Sequence, residues 1–327
     1  MTEDITVRPA RSAEIPTLAR LIENQLPDMM AGRKRPENIE HHLARLIPDR
    51  CLMLALRGNR LAGLIAIDLD HQLVLACYLD PETASPDTPR RLFSAAEKLV
   101  ASYGARSLSC QIKKQVSGFM TSMGYSEGDQ GNDQKAVKSP LFTKDLAALA
   151  TPEFKRVLDL LDDLGIPKDY GVKRRLQLIP EAKTLVSIGQ DIFNRDQRLT
   201  PAAATAWGRM RSAASNNGIE LQLVSAFRGL NYQVNLVKRK LNEGKQLDDI
   251  LKVSAAPGFS EHHGGRAVDL TTPGCQPLEQ GFSESRAYRW LKANAGIYGF
   301  RETYGMANRH GITWEPWHWC YQHRPGS

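Results

Sequence analysis

The sequence predicts an α+β protein built as two domains. Three observations lead to that reading. The chain has 327 residues, and one domain usually takes roughly 100–200. Residues 1–147 alternate short apolar strands with amphipathic helices. The remainder reads as helices with a few short strands, gathered around two polar clusters, Ser260–Leu270 (SEHHGGRAVDL) and Trp314–Trp319 (WEPWHW). A hydrophobic content of 42% and a charged content of 24% are those of an ordinary globular protein, and each half is long enough to bury its own core.

The first half is read in order. Ile5–Arg8 alternates like a strand. Ser12 is placed to cap a helix carrying Leu18, Leu21 and Ile22. The run Cys51–Leu56, the turn at Gly58-Asn59 and the run Leu61–Ile67 predict a β-hairpin. His71–Leu79 is a third strand, Pro86–Ala101 a helix, Leu108–Ile112 a strand, and Val116–Met123 a short helix stopped by Gly124. Ser126–Lys138 is polar and loop-like, and Pro140–Leu146 is a last strand. This order resembles the GNAT acetyltransferase fold, and Gly118–Tyr125 (GFMTSMGY) resembles that family's late helix. The resemblance implies a mixed sheet and a pyrophosphate site where glycine-rich backbone opens a helix. The matching stretch here, Leu79–Arg91, has no glycine, three prolines and three acidic residues. Proline lacks an N–H, so we expect a GNAT-like domain that does not bind acetyl-CoA.

In the second half, Glu153–Leu164 is an amphipathic helix ended by Gly165, and Lys168–Thr184 is basic and irregular. Thr200-Pro201 opens a helix, since threonine caps and proline suits the first helical position. Ile219–Phe227 is a strand, Arg228–Leu241 a helix, Ser283–Ala295 another, and Ile312–Trp319 a final strand. These readings place a first domain at 1–147, a linker and helical connection at 148–184, and a second domain at 185–327.

Charge and cysteine narrow the function classes. The net charge of +7 is scattered, with short clusters at Arg33-Lys34-Arg35, Lys173-Arg174-Arg175 and Lys238-Arg239-Lys240. Such runs are usually solvated helix faces, so charge does not point to nucleic acid. The five cysteines form no CxxC and no even framework, which fits idle thiols in a reducing compartment. The N-terminus shows no basic segment followed by an apolar run, and no stretch approaches the length of a membrane span. The expected location is the cytoplasm.

The two polar clusters carry the chemistry. His262, Asp269 and His318 offer two imidazoles and a carboxylate, a set suited to a catalytic Zn2+ with one position left for water. Gly264 and Gly265 allow the turn that lets a loop ligand and a strand ligand converge. His263 is a rival ligand, and Cys320, two residues beyond His318, is a weaker candidate. Glu315, held beside a zinc-bound water, could take its proton and pass it to a leaving amine. The tryptophans around it suit core packing better than ligand stacking.

The motifs S-x-H-x-x-G-x-A-x-D (Ser260, His262, Gly265, Ala267, Asp269) and E-x-W-H (Glu315, Trp317, His318) resemble those of VanY-type D-alanyl-D-alanine carboxypeptidases, zinc peptidases of the LAS group. Ser225–Gly229 with Gln233 resembles that family's S-G-Y-R-S-x-x-x-Q element. The resemblance implies an α+β domain with zinc on a small antiparallel sheet, and a peptidoglycan peptide or muropeptide as substrate. It further implies that Arg228 holds a carbonyl oxygen or terminal carboxylate, as its planar fork suits, and that Gln233 and Ser260 bind the peptide. Ala226-Phe227 and Gly229 depart from the motif. The leading expectation is therefore a D,D-carboxypeptidase or dipeptidase. The alternatives are an L,D-peptidase or endopeptidase with the same site, a non-catalytic cell-wall binding module, and an N-acetyltransferase fused to a peptidase.

Overall fold

The computed structural model describes residues 4–25, 38–112, 114–128, 140–147 and 151–322. The Arg33-Lys34-Arg35 cluster and most of the polar loop, 129–139, lie outside them, as do 148–150. The chain divides into two compact units, 1–151 and 152–327. None of the helices described is long and apolar enough to cross a membrane.

The first unit contains β1 (Ile5–Pro9), α1 (Ile15–Gln25), α2 (Ile39–Leu46), β2 (Leu52–Arg57), β3 (Arg60–Asp68), β4 (Leu73–Leu79), α3 (Thr88–Ser102), β5 (Ser107–Gln111), α4 (Ser117–Ser122), β6 (Ser126–Glu127) and β7 (Leu141–Asp145). Its sheet has the order β1-β2-β3-β4-β5-β7-β6. All pairs are antiparallel except β4 with β5, which runs parallel through Leu73↔Ser109 and Val74↔Cys110. This is the mixed sheet expected of the GNAT-like half. Leu52, Leu64, Ile65 and Ile67 are fully buried on β2 and β3, so these central strands are apolar on both faces. Three local expectations are corrected. Ser12 does not cap α1 but opens a 3₁₀ turn ahead of it, with Glu14 accepting from the Arg11 amide. Ser126 and Glu127 pair with β7 instead of forming loop. Helix α2 is an addition, started by Asn38, whose side chain accepts from the His41 amide.

The second unit contains α5 (Pro152–Asp163), α6 (Tyr170–Arg174), β8 (Val186–Gln190), β9 (Asp196–Leu199), α7 (Pro201–Asn216), β10 (Gln222–Ser225), α8 (Leu230–Asn242), α9 (Leu247–Lys252), β11 (Ala267–Thr271), α10 (Arg286–Asn294), β12 (Phe300–Glu302) and β13 (His318–Tyr321). Four strands make a small antiparallel sheet in the order β10-β11-β13-β12, and β8 and β9 form a separate hairpin. One core packs Trp207 and Met210 of α7 and Leu291 of α10 against Val268, Leu270, Phe300 and Trp319 of the sheet. A second core joins Val157 and Leu161 of α5 to Val234 and Val237 of α8, Ile250 and Phe259.

Several elements differ from expectation. The segment 168–184 contains the short helix α6, on which Arg174 donates to the carbonyls of His310 and Gly311. The final strand starts at His318, not Ile312, because the His318 amide closes a turn onto the Glu315 carbonyl. Helix α8 starts at Leu230 behind Gly229, so Arg228 lies outside the helix. Trp319 and Trp207 are core residues, as packing favours.

Candidate metal centre

Strand β11 positions the site. Successive side chains on a strand point to opposite faces. Val268 and Leu270 enter the apolar core, so Asp269 faces the other way. The register sets Asp269 opposite His318 on β13 and opposite Ser225 on β10. His262 arrives from the 3₁₀ turn Glu261–Gly264, which ends at Gly265 in the left-handed conformation, φ +60°. A Cβ at Gly265 would stand 2.8 Å from Leu185, so both backbone and space require glycine there.

The three side chains meet. Asp269 Oδ2 is 3.2 Å from His262 Nε2, and Asp269 Oδ1 is 3.0 Å from His318 Nδ1. One donor atom from each residue lies within 4.8 Å of the others. Exposure is 1% for His262, 2% for Asp269 and 2% for His318, so water does not serve these groups. His262 Nδ1 sits against the Ala226 carbonyl oxygen. A carbonyl only accepts, so Nδ1 carries the hydrogen and Nε2 keeps its lone pair. That Nε2 is buried and makes no hydrogen bond, although it stands beside Asp269. An orphaned imidazole nitrogen next to a carboxylate and a second imidazole fits a divalent cation of the zinc type.

Electrostatics agree with this geometry. Burial, helped by the Arg228 charge, lowers His262 to about 4 and leaves it neutral, the form that ligates. Burial also opposes the charge of Asp269, yet His262, His318 and Arg228 hold its carboxyl well below the usual range. Burial would lower His318 too, but hydrogen bonds to Asp269 and Glu261 push it up to about 10. A proton on His318 neutralises part of the acidic charge, and a bound cation would displace it.

Glu315 is anchored by its amide donating to the Tyr304 carbonyl. It lies outside the three-residue cluster. Burial pushes its carboxyl up to about 7, with the charges of His318, Asp269 and Arg228 also acting on it. Arg228 is 20% exposed, with Nη1 3.3 Å from Asp269 Oδ2, and its Nε has no partner. Its backbone is held on both sides, by the His262 carbonyl and by the His263 ring. Gln233 is buried; its Nε2 donates to the Ala255 carbonyl and its Oε1 is unsatisfied. Ser260 is buried at the start of the His262 turn, and its carbonyl accepts from the His263 amide.

The rival ligands are accounted for. His263 Nδ1 donates to the Arg228 carbonyl, and His263 Nε2 accepts from the Gly258 amide. Both nitrogens are spent on backbone, so His263 shapes the loop. Cys320 is buried, its thiol faces the Tyr321 carbonyl, and it is not among the clustered donors.

Four residues were not found from sequence. Glu261 accepts from His318 Nε2 at 2.8 Å. Tyr304 packs its ring on His318, centroids 4.9 Å apart, and leaves its buried hydroxyl unpaired. Gln197 links the buried carboxylate of Asp191 to the Ala226 amide, and so ties down the residue whose carbonyl, in the next peptide unit, meets His262. Lys240, half-buried and donating to Ser254 Oγ, feels the charges of both Arg228 and Glu315. The only sequence signal for any of these was the position of Glu261 beside His262.

Asp269 and His318 on the small antiparallel sheet and His262 on the adjoining turn thus form a buried donor set of the kind that could hold one divalent cation. Residues 196–324 match the family model for VanY, D-alanyl-D-alanine carboxypeptidase. The likeness to VanY falls within the second unit. Among solved structures, the LdcB LD-carboxypeptidase is 28% identical over 43% of this chain and 69% of its own, with a TM-score of 0.40. A vancomycin-resistance D,D-pentapeptidase VanY, solved with Zn(II), is 25% identical over 44% of this chain and 83% of its own, with a TM-score of 0.36. The acetyltransferase-like yncA from Salmonella typhimurium, solved with acetyl-CoA, is 15% identical over 45% of this chain and 97% of its own, with a TM-score of 0.37. No curated protein matches the chain.

Proposed function

We propose that the second unit is a zinc-dependent D,D-carboxypeptidase or dipeptidase that releases terminal D-alanine from peptidoglycan-type peptides. One observation carries the reading: His262 Nε2, Asp269 and His318 Nδ1 converge beside a glutamate whose carboxyl is pushed up to about 7. The VanY match supports the substrate class. In this reading His262, Asp269 and His318 hold the metal. Bound there, a divalent cation supplies Lewis acidity, polarising the scissile carbonyl and making water a better nucleophile at neutral pH.

The protein's own groups do the rest. Glu315 takes a proton from the attacking water as its oxygen bonds to the carbonyl carbon, then delivers that proton to the leaving amine as the C–N bond breaks. A base with an affinity for protons near neutrality suits both transfers. Arg228 has an unpartnered Nε, and it pairs with the carbonyl oxygen or the terminal carboxylate. Gln233, with its free Oε1, and Ser260 line the peptide site. The GNAT-like unit, residues 1–147 as read from sequence, acts as an accessory domain.

The test is product analysis of defined peptides ending in D-Ala-D-Ala, with and without chelator, against peptides with an L,D bond. D-alanine release that stops with chelator and returns with zinc is the expected result. Cleavage of the L,D bond alone would replace the D,D assignment, and no cleavage of any peptide by the zinc-loaded protein would end it.

A further inference from the structure

We infer that Glu261 is a positioning residue for the metal centre: its carboxylate fixes the His318 imidazole in the tautomer and orientation that present Nδ1 to the cation. The inference rests on the metal reading above and adds a residue to it.

The geometry separates the two nitrogens of His318. Nδ1 faces Asp269 Oδ1 at 3.0 Å, on the side where His262 Nε2 also lies. Nε2 points to the opposite side and meets Glu261 Oε2 at 2.8 Å. Glu261 has 15% side-chain exposure, and His318 has 2%. A buried carboxylate accepts but does not donate, so Nε2 must carry a hydrogen. Neutral imidazole then has its lone pair on Nδ1, the atom aimed at Asp269. The other candidate, Asp269, cannot make this choice alone, because it also faces Nδ1 and would favour a hydrogen there.

The surroundings hold Glu261 in place. It sits on the same short turn as His262, so one backbone segment supplies a ligand and the partner of another ligand. The Tyr304 ring packs on His318, which removes the remaining freedom of the imidazole to flip. A carboxylate hydrogen-bonded to the far nitrogen of a ligating histidine also raises the electron density on the near one. Loss of such partners typically weakens metal binding about 10–100-fold.

The experiment measures the zinc dissociation constant of the full chain by competition with a chromophoric chelator, together with the visible spectrum of the cobalt(II)-substituted protein. E261Q keeps an acceptor for Nε2–H and removes the charge; E261A removes both. We expect about tenfold weaker zinc binding for E261Q and a loss approaching 100-fold for E261A. The E261Q cobalt bands should shift while keeping the intensity of a low-coordinate site. A purely structural role would leave metal affinity and spectrum unmoved in the folded variant. E261Q and E261A binding zinc within threefold of the parent would overturn the inference, and if E261A does not fold, E261Q decides alone. A parent that itself binds no zinc would instead remove the metal reading of the whole site.

Discussion

Replacing Glu315 by glutamine is the most direct probe of the proposed chemistry. The change keeps the shape and the backbone anchor on the Tyr304 carbonyl, and removes only the ability to exchange a proton. Burial sets the carboxyl near 7; a divalent cation beside Asp269 would lower it from there, since a nearby positive charge favours the carboxylate. The ionised form is the active one, so kcat/KM should rise with pH and level off at or below about pH 7. Each pH unit below the limb's midpoint should cost about tenfold. General acid–base groups contribute about 10²–10⁴-fold, which is about 3–5.5 kcal/mol of barrier. Glu315 is not one of the three clustered donors, so E315Q should bind zinc nearly as well as the parent. The assay is D-alanine release between pH 5 and 9, with zinc content measured on the same samples. An E315Q protein retaining more than a tenth of the activity, or retaining the acidic limb, would refute the assignment of the base. Loss of zinc along with activity would show Glu315 to be a ligand.

Two further predictions concern how the loop and the helix start are held. Replacing His263 by alanine leaves the buried Gly258 amide and Arg228 carbonyl without their partners; it should cost about 1–3 kcal/mol in denaturant unfolding and leave the zinc-to-protein ratio unchanged. At the start of α8 the Glu181 carboxylate accepts from the Leu230 amide, in the space a Cβ at Gly229 would enter, 2.8 Å from Glu181 Oε1. Glu181→Ala should cost about 0.5–2 kcal/mol, the usual range for a lost cap, and Gly229→Ser should destabilise by crowding. The double variant should be more stable than the sum of the two changes, because serine can then cap the helix itself; strict additivity in unfolding experiments would refute this.

This exchange explains one departure of the sequence from its motif. Gly229 stands where the resemblance has serine, and Glu181 does the capping from another segment. Such compensation was invisible because the partners are far apart in sequence. The same reason separates what was legible from what was not. That His262, Asp269 and His318 meet could be read because their residue types and spacing suit a shared metal, and the register of β11 with β13 sets Asp269 opposite His318. Glu261 could not, since its meaning depends on His318 reaching it from β13. The β8–β9 hairpin was missed because β8 is largely exposed and shows no apolar alternation to mark it. Its end matters to the site: Asp191 holds Gln197, Gln197 accepts from the Ala226 amide, and the carbonyl of that residue meets His262. Strand β10 is shorter than the apolar run Ile219–Phe227 predicts, since Ile219 and Leu221 pack into the core from outside the ladder.

The first unit offers a prediction that tests what a fold can lose. A GNAT-like domain that holds acetyl-CoA needs free backbone amides at the start of its central helix, where the pyrophosphate would sit. At α3 most of these donors are spent or missing. The Thr88 amide donates to the Ser85 carbonyl, the Ser85 amide donates to Thr88 Oγ1, and the Arg91 amide donates to the Asp87 carbonyl. Pro89 has no amide hydrogen. The Asp87 carboxylate stands at the same helix end, paired with Arg91. The upstream Asp80 carboxylate takes the amides of Glu82 and Thr83. An incoming pyrophosphate would therefore meet carboxylates and already bonded amides, where it needs open donors. Calorimetric titration of the full chain with acetyl-CoA should give no binding heat up to about 1 mM, a concentration at which binding worth even about 4 kcal/mol would register. A dissociation constant in the micromolar range would show that the turn rearranges to free its amides, and would return the acetyltransferase reading to this unit.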